Sequence, residues 1–233
     1  MKIFAKGFNF GQDGPGNRLV YHLAGCNMRC PWCSNPEGMA ATGGEDCTVE
    51  QIVAECKSCR PMLFGGGGVT FTGGEATLQV EELLQVLEEL QAAGIHTAIE
   101  TNGTARRLSE VATHVDYLIM DFKHFDSERL RQVTGVGNEQ LRQNYEYFCR
   151  SGRQLHIRIP LINGFNADDP VGFASYFAEQ DTANVCFEFL PYHEYGKDKW
   201  QAPYTVTDGF VSSAQLEAFK NIFADYKLKT INT

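Results

Sequence analysis

Six short apolar runs, rich in β-branched and aromatic residues and bounded by Gly, Asn or Pro, recur along the chain with amphipathic stretches between them. They cover residues 18–24, 69–72, 96–100, 117–121, 155–160 and 185–190. Helical periodicity fills the intervals, over 48–60, 79–94, 107–113, 138–151, 170–180 and 213–226, with Thr48 suited to an N-cap and Gly94 to a C-cap. Strand and helix therefore alternate, which predicts a parallel α/β fold. Six such units are too few to close an eight-stranded barrel, so an open, partial (β/α)6 barrel is expected, with a doubly wound sheet as the second choice. The 233 residues contain no repeat, linker or low-complexity tract, and one domain over 1–233 is expected.

In either architecture the chemistry belongs at the C-terminal ends of the strands. The first run leads into Cys26, Cys30 and Cys33, and the second into Gly73, Gly74 and Glu75. The third ends at Glu100, Thr101, Asn102 and Gly103, and the fourth at Asp121, Phe122 and Lys123. The fifth carries Arg158 and the sixth leads to His193. Ligand-type residues at one end of successive strands are stronger evidence for an active site than any one of them alone.

The chain has eight cysteines and a formal net charge of −9. An acidic chain is a poor partner for nucleic acid. No apolar run approaches the ~20 residues of a membrane helix, and the first residues, MKIFAKGFNFGQDGPG, lack a signal-peptide core. A cytoplasmic protein with reduced thiols is expected, and closely spaced thiols suggest metal. Cys26, Cys30 and Cys33 form C-x3-C-x2-C in one loop, 25–35. Zinc normally takes four ligands and the loop has no fourth, although His22 precedes it and His96 could approach from afar. A four-iron cluster accepts three thiolates and leaves one iron open to substrate. Three buried thiols without metal are the remaining alternative.

The motifs C-x3-C-x2-C after a first strand and GGE after a second resemble the radical S-adenosylmethionine (SAM) enzymes. Four further stretches narrow the resemblance to the activating enzymes of glycyl radical enzymes, of the pyruvate formate-lyase activating type. They are DGPGNR at 13–18, GGGVTFTGGEATLQ at 66–79, DFK at 121–123 and LPYHEYGKDKW at 190–200. The resemblance implies a radical SAM barrel without a ferredoxin-like insert, with a DGPG loop at 10–17 and a C-terminal extension from about 191 to 233. It implies a [4Fe-4S] cluster on Cys26, Cys30 and Cys33 that splits SAM reductively, giving methionine and a 5′-deoxyadenosyl radical that takes hydrogen from a partner's glycine.

Roles follow from the same resemblance. Gly73, Gly74 and Glu75 would hold the SAM ammonium and Lys123 its carboxylate. Asn102 and Gly103 would shape the nucleoside pocket, with Asn35 and His193 against the nucleoside. Arg158 would support the pocket or touch substrate, and Asp13 would position the backbone of the target glycine. Trp32 suits a packing shield. Glu100, Thr101, Met120 and Asp121 match the place where relatives hold a monovalent cation, Na+ or K+, although the first position there is typically Asp. Ser34 stands where the pyruvate formate-lyase type has His, which points to a related glycyl radical system. A flavodoxin- or ferredoxin-type electron donor is implied, with a glycyl radical enzyme as protein partner.

Cys47, Cys56 and Cys59 are too few for an additional four-cysteine cluster, and core packing or a surface redox pair suits them better. Cys149 and Cys186 fit as small apolar residues. Two other functions stand against the activase: a radical SAM enzyme acting on a small molecule, and a non-catalytic metal-binding protein. The DGPG loop and the LPYHEYGKDKW stretch weigh against the first, and anaerobic reconstitution with SAM cleavage separates the activase from the second.

Overall fold

In the computed structural model, which describes residues 1–231, all six expected strands form. They are β2 (Asn17–Leu23), β4 (Gly68–Gly73), β5 (Thr97–Thr101), β6 (Tyr117–Asp121), β7 (Leu155–Leu161) and β8 (Val185–Pro191). Two further strands, β1 (Lys2–Phe10) and β3 (Glu45–Asp46), were not expected. The strand order is β3-β1-β2-β4-β5-β6-β7-β8, an open sheet. β2 pairs in parallel with β4, β4 with β5, and β7 with β8. β1 runs antiparallel to β2 and β3 antiparallel to β1. β1 escapes a search for parallel α/β strands because most of its residues are exposed and Gly7 and two lysines interrupt its apolar pattern.

Six of the seven α-helices among the described residues fall where periodicity placed them: α1 (Val49–Ser58), α2 (Val80–Ala92), α3 (Leu108–Ala112), α5 (Glu139–Ser151), α6 (Pro170–Ala178) and α7 (Ser213–Asp225). Thr48 caps α1 through a reciprocal capping box with Gln51. The seventh, α4 (Ser127–Thr134), buries only Leu130 and Thr134, so it carries no apolar stripe. Its signals are local: Asp126 accepts from the Glu128 and Arg129 amides, and Gly135 ends it in the left-handed conformation. Between residues 35 and 67 lie only short helices and β3, so no additional domain is inserted there.

The chain divides into two compact units, Met1–Asn27 with Asn35–Ile119, and Met28–Ser34 with the residues from Met120 onward. In the first, aliphatic residues of β2, β4 and β5 are buried, as are Leu83, Val86, Leu87 and Leu90 of α2. The second has an aromatic core. Phe177 lies 4.7 Å from Phe122, 5.3 Å from Tyr145 and 4.6 Å from Phe187, ring centre to ring centre. Lys229 and Ile231 hydrogen-bond the backbone of Phe187, so the outer edge of β8 is covered at that residue. No described helix is long and apolar enough to cross a membrane.

Phe177 is fully buried among these rings. Phe177→Ala is therefore expected to cost about 3–5 kcal/mol, measured by urea denaturation of the metal-free protein.

Candidate active site

In the first unit the polar residues gather at the ends of β2, β4 and β5. Gly73 has φ +124°, and an added Cβ there would strike the backbone of Leu23. At Gly74 a Cβ would strike the Gly25 and Gly38 carbonyls. The absence of these side chains lets three backbone bonds form: Gly74 N–H to Leu23 O (2.8 Å), Glu75 N–H to Gly25 O (2.7 Å) and Gly25 N–H to Gly38 O (2.8 Å). The turn after β4 is thus bonded to the residue that immediately precedes Cys26.

Glu75 is 2% exposed, and its oxygens are occupied by protein donors. Oε1 accepts from Thr77 N–H (3.1 Å), from the Thr77 hydroxyl and from Thr101 Oγ1 (2.7 Å), and Oε2 accepts from Asn102 N–H (2.7 Å). The carboxylate therefore ties the turn after β4 to the end of β5. Asn102 extends the network: Nδ2 donates to Asn27 Oδ1 (2.8 Å), and Oδ1 accepts from the Thr104 hydroxyl (2.7 Å). Glu100 accepts from the Thr72 hydroxyl at 3.0 Å.

The DGPG loop rests on a residue not singled out from sequence. Arg18 is fully buried. Its Nε donates to Thr70 Oγ1 (2.6 Å) and Nη2 to Val69 O (2.8 Å), while Nη1 reaches Pro15 O (3.1 Å) and His96 Nδ1 (3.3 Å). Thr70 in turn donates to the Asp13 carbonyl at 2.7 Å. Burial pulls the guanidinium down to about 10, against the opposing charge of Asp13. Burial and then the Arg18 charge lower His96, whose ring lies at the DGPG loop. The half-buried Asp13 carboxylate accepts from Asn9 Nδ2.

The second unit carries the rest. Lys123 is 9% exposed and its ammonium lies 2.9 Å from Asp121 Oδ2. The charge of Asp121 is met by an internal cation, and Met120 beside it is fully buried. Asn166 holds the neighbouring strand ends, donating to Lys123 O (2.8 Å) and Pro160 O (2.7 Å). Arg158 faces Glu188 in the β7–β8 register and donates from Nε to Glu188 Oε2 at 2.8 Å. His156 Nε2 lies 3.1 Å from the same oxygen, and all three side chains are buried. Burial alone would raise the Glu188 carboxyl, but the His156 hydrogen bond and the Arg158 charge hold it below its ordinary value. Glu188 and His156 were missed from sequence, although a glutamate within VCFEFL and His156 and Arg158 at alternate positions of one strand are legible signals. His193 is exposed and stacks on Tyr195 at 4.2 Å, and partial burial lowers its imidazole.

All eight cysteines are thiols outside disulfides. Cys30 is buried, Cys26 and Cys33 are half-buried, and Cys33 N–H bonds Cys30 O at 3.1 Å to turn the loop. Three thiols from one irregular loop suit a cluster with three thiolate ligands. No preformed group of three or more His, Cys, Asp or Glu ligands stands among the described residues. Cys56 is fully buried, 3.7 Å from the Tyr21 hydroxyl, and burial pushes its thiol up to about 12. It therefore packs in the core as an inert thiol.

The model of the Radical SAM superfamily matches residues 20–177. The pyruvate formate-lyase 1-activating enzyme of Escherichia coli (strain K12) is 35% identical over 196 residues, covering 82% of this chain and 80% of that protein. The choline trimethylamine-lyase activating enzyme of Oleidesulfovibrio alaskensis is 30% identical, covering 81% and 82%. A solved domain of pyruvate formate-lyase-activating enzyme from Bacteroides vulgatus superposes with a TM-score of 0.59 at 32% identity, over 71% of this chain and 98% of that one.

The Arg158–Glu188–His156 group makes an acid-side prediction. Because the folded carboxyl lies below its ordinary 4.5, the stability it brings is complete above that value and is lost as pH falls through the lower folded one. Glu188→Gln is expected to cost ~3–5 kcal/mol at neutral pH by leaving Arg158 buried against a neutral amide. The gap between wild type and variant should narrow as the pH falls below 4.5, as read from urea midpoints.

Proposed function

The chain belongs to the radical SAM superfamily and, within it, to the glycyl radical enzyme activating enzymes; on that premise we propose that it cleaves SAM reductively and uses the radical to take hydrogen from a glycine of a partner protein. The observation that carries this reading is the bonding of the Gly73–Gly74–Glu75 turn to Gly25, at the root of the cysteine loop. The GGE turn and Gly25, the residue before Cys26, are thereby joined by backbone in one unit.

Cys26, Cys30 and Cys33 would hold three irons of a [4Fe-4S] cluster. With its fourth iron open, such a cluster supplies the electron that splits SAM into methionine and a 5′-deoxyadenosyl radical. The protein's task is to orient the reacting carbon and keep other hydrogen donors away. Backbone of Gly73 and Gly74, rigid because of Glu75, would meet the SAM ammonium. Since the Glu75 oxygens already serve Thr77, Thr101 and Asn102, the carboxylate acts chiefly as the brace of that turn. Lys123 would turn from Asp121 to the SAM carboxylate. Asp121 would then take a monovalent cation with Glu100, Thr101 and Met120. Asn102 and His193 would flank the nucleoside, and Arg158, fixed by Glu188, would line the pocket. Asp13, on a loop anchored by Arg18, would position the glycine-bearing backbone. The product radical is stabilised between its own amide and carbonyl.

In this reading the whole chain works as one radical SAM domain in the cytoplasm. Its partners are a glycyl radical enzyme and a flavodoxin- or ferredoxin-type electron donor, with no nucleic acid and no membrane. Anaerobic reconstitution should give about four irons per chain and reductive release of 5′-deoxyadenosine from SAM, both lost in Cys30→Ala. Full SAM cleavage in that variant would overturn the ligand assignment. With a glycyl radical enzyme added, Asp13→Ala should lower the glycyl radical signal in electron paramagnetic resonance about tenfold or more while uncoupled SAM cleavage falls less. Equal losses would remove the positioning role.

A further inference from the structure

The LPYHEYGKDKW stretch has a physical task that its motif does not announce. Tyr192 N–H bonds Leu161 O (2.9 Å) and so ties the start of this segment to the end of β7. From there the chain crosses the cysteine loop. Gly196 is buried against Ser34: an added Cβ would lie 2.6 Å from the Ser34 carbonyl carbon. Four residues later the half-buried Trp200 donates its indole N–H to the Cys33 carbonyl at 3.1 Å. Trp200 is itself held by a turn, its N–H bonding Lys197 O (3.2 Å), and by the Tyr204 ring at 5.7 Å. Tyr204 is hydrogen-bonded to the Tyr192 hydroxyl at 2.8 Å. On the other side of the loop Trp32 packs on Phe165 at 4.8 Å, and Arg29 N–H bonds Thr134 O at 2.8 Å.

We infer that residues 192–204 form a strap that clamps the Cys30–Cys33 turn, and that Trp200 is a positioning residue for Cys33. The inference deepens the proposed function and rests on it for the cluster, but the clamp itself is a property of the metal-free chain. A Cβ at 196 would strike the Ser34 backbone, and the indole N–H at 200 is the donor that reaches the Cys33 carbonyl. His193 rides on the same strap, so anything that seats against His193 is mechanically linked to the loop that bears Cys33.

The test uses the full chain, stripped of metal and then reconstituted. Trp200→Phe keeps the ring volume and deletes the donor, and Gly196→Ala pushes the strap off Ser34. Loss of one net hydrogen bond corresponds to about a two- to tenfold change. In the metal-free protein, alkylation of Cys33 relative to Cys26, followed by peptide mass spectrometry, should rise by about that factor in each variant, with an unchanged melting temperature. After reconstitution, iron loss to a chelator should quicken by a similar factor and the reduced-cluster resonance spectrum should change shape. Wild-type alkylation rates at Cys33 in both variants would overturn the clamp. So would a rise shared by the buried Cys56 and Cys149, which would mean general loosening. Wild-type protein that takes up no iron would overturn the cluster reading and leave the alkylation result to decide the strap.

Discussion

Three glycines from different parts of the chain, Gly25, Gly38 and Gly74, bring their backbones together where a Cβ at residue 74 would strike the carbonyls of the other two. The bonds made there fix where the cysteine loop begins and where the turn after β4 points. A loop that must present three thiols needs an immobile root, because loop closure and backbone ordering are costly in conformational entropy. The parallel β2–β4 pair supplies that root and the glycines transmit it.

Each of the two units keeps charged groups out of water, with a different compensation for each. Glu75 is surrounded by hydroxyl and amide donors and needs no counter-charge. Arg18 has no direct carboxylate partner among its hydrogen bonds and is held by two carbonyls, a hydroxyl and an imidazole, which is why burial lowers it so far. Arg158 and Glu188 are paired across β7 and β8. Buried polar groups of this kind add little net stability, but they penalise any arrangement that leaves one member unmatched. The second unit has an aromatic core, where several rings meet edge to face and Tyr145 donates its hydroxyl to the Phe177 carbonyl at 3.0 Å.

Much of this was legible from residue order. The six expected strands and six of the α-helices announced themselves through periodicity, because each buries a continuous face. β1 did not, since a largely exposed antiparallel strand has no such face, and α4 did not, since its caps rather than its burial define it. At the site, motifs pointed to Glu75, Asn102, Lys123 and Asp13, yet their observed partners were out of reach. That Asp121 already has Lys123 as its cation, or that Glu75 is saturated by Thr77, Thr101 and Asn102, depends on strand register and turn shape. Arg18, Asn166 and Trp200 were harder still, because each acts by reaching the backbone of a distant segment, and a carbonyl has no signature in sequence.

The cover that Lys229 and Ile231 lay along β8 has a practical side. Phe187 offers its amide and carbonyl outward and both are taken by these residues, which come after the last helix. Trimming the chain before Lys229 would leave a β-strand rim with unsatisfied donors and acceptors in water. Such rims template pairing with another molecule, so shortened forms would be prone to self-association although the cysteine loop and the strand-end residues remained in the chain.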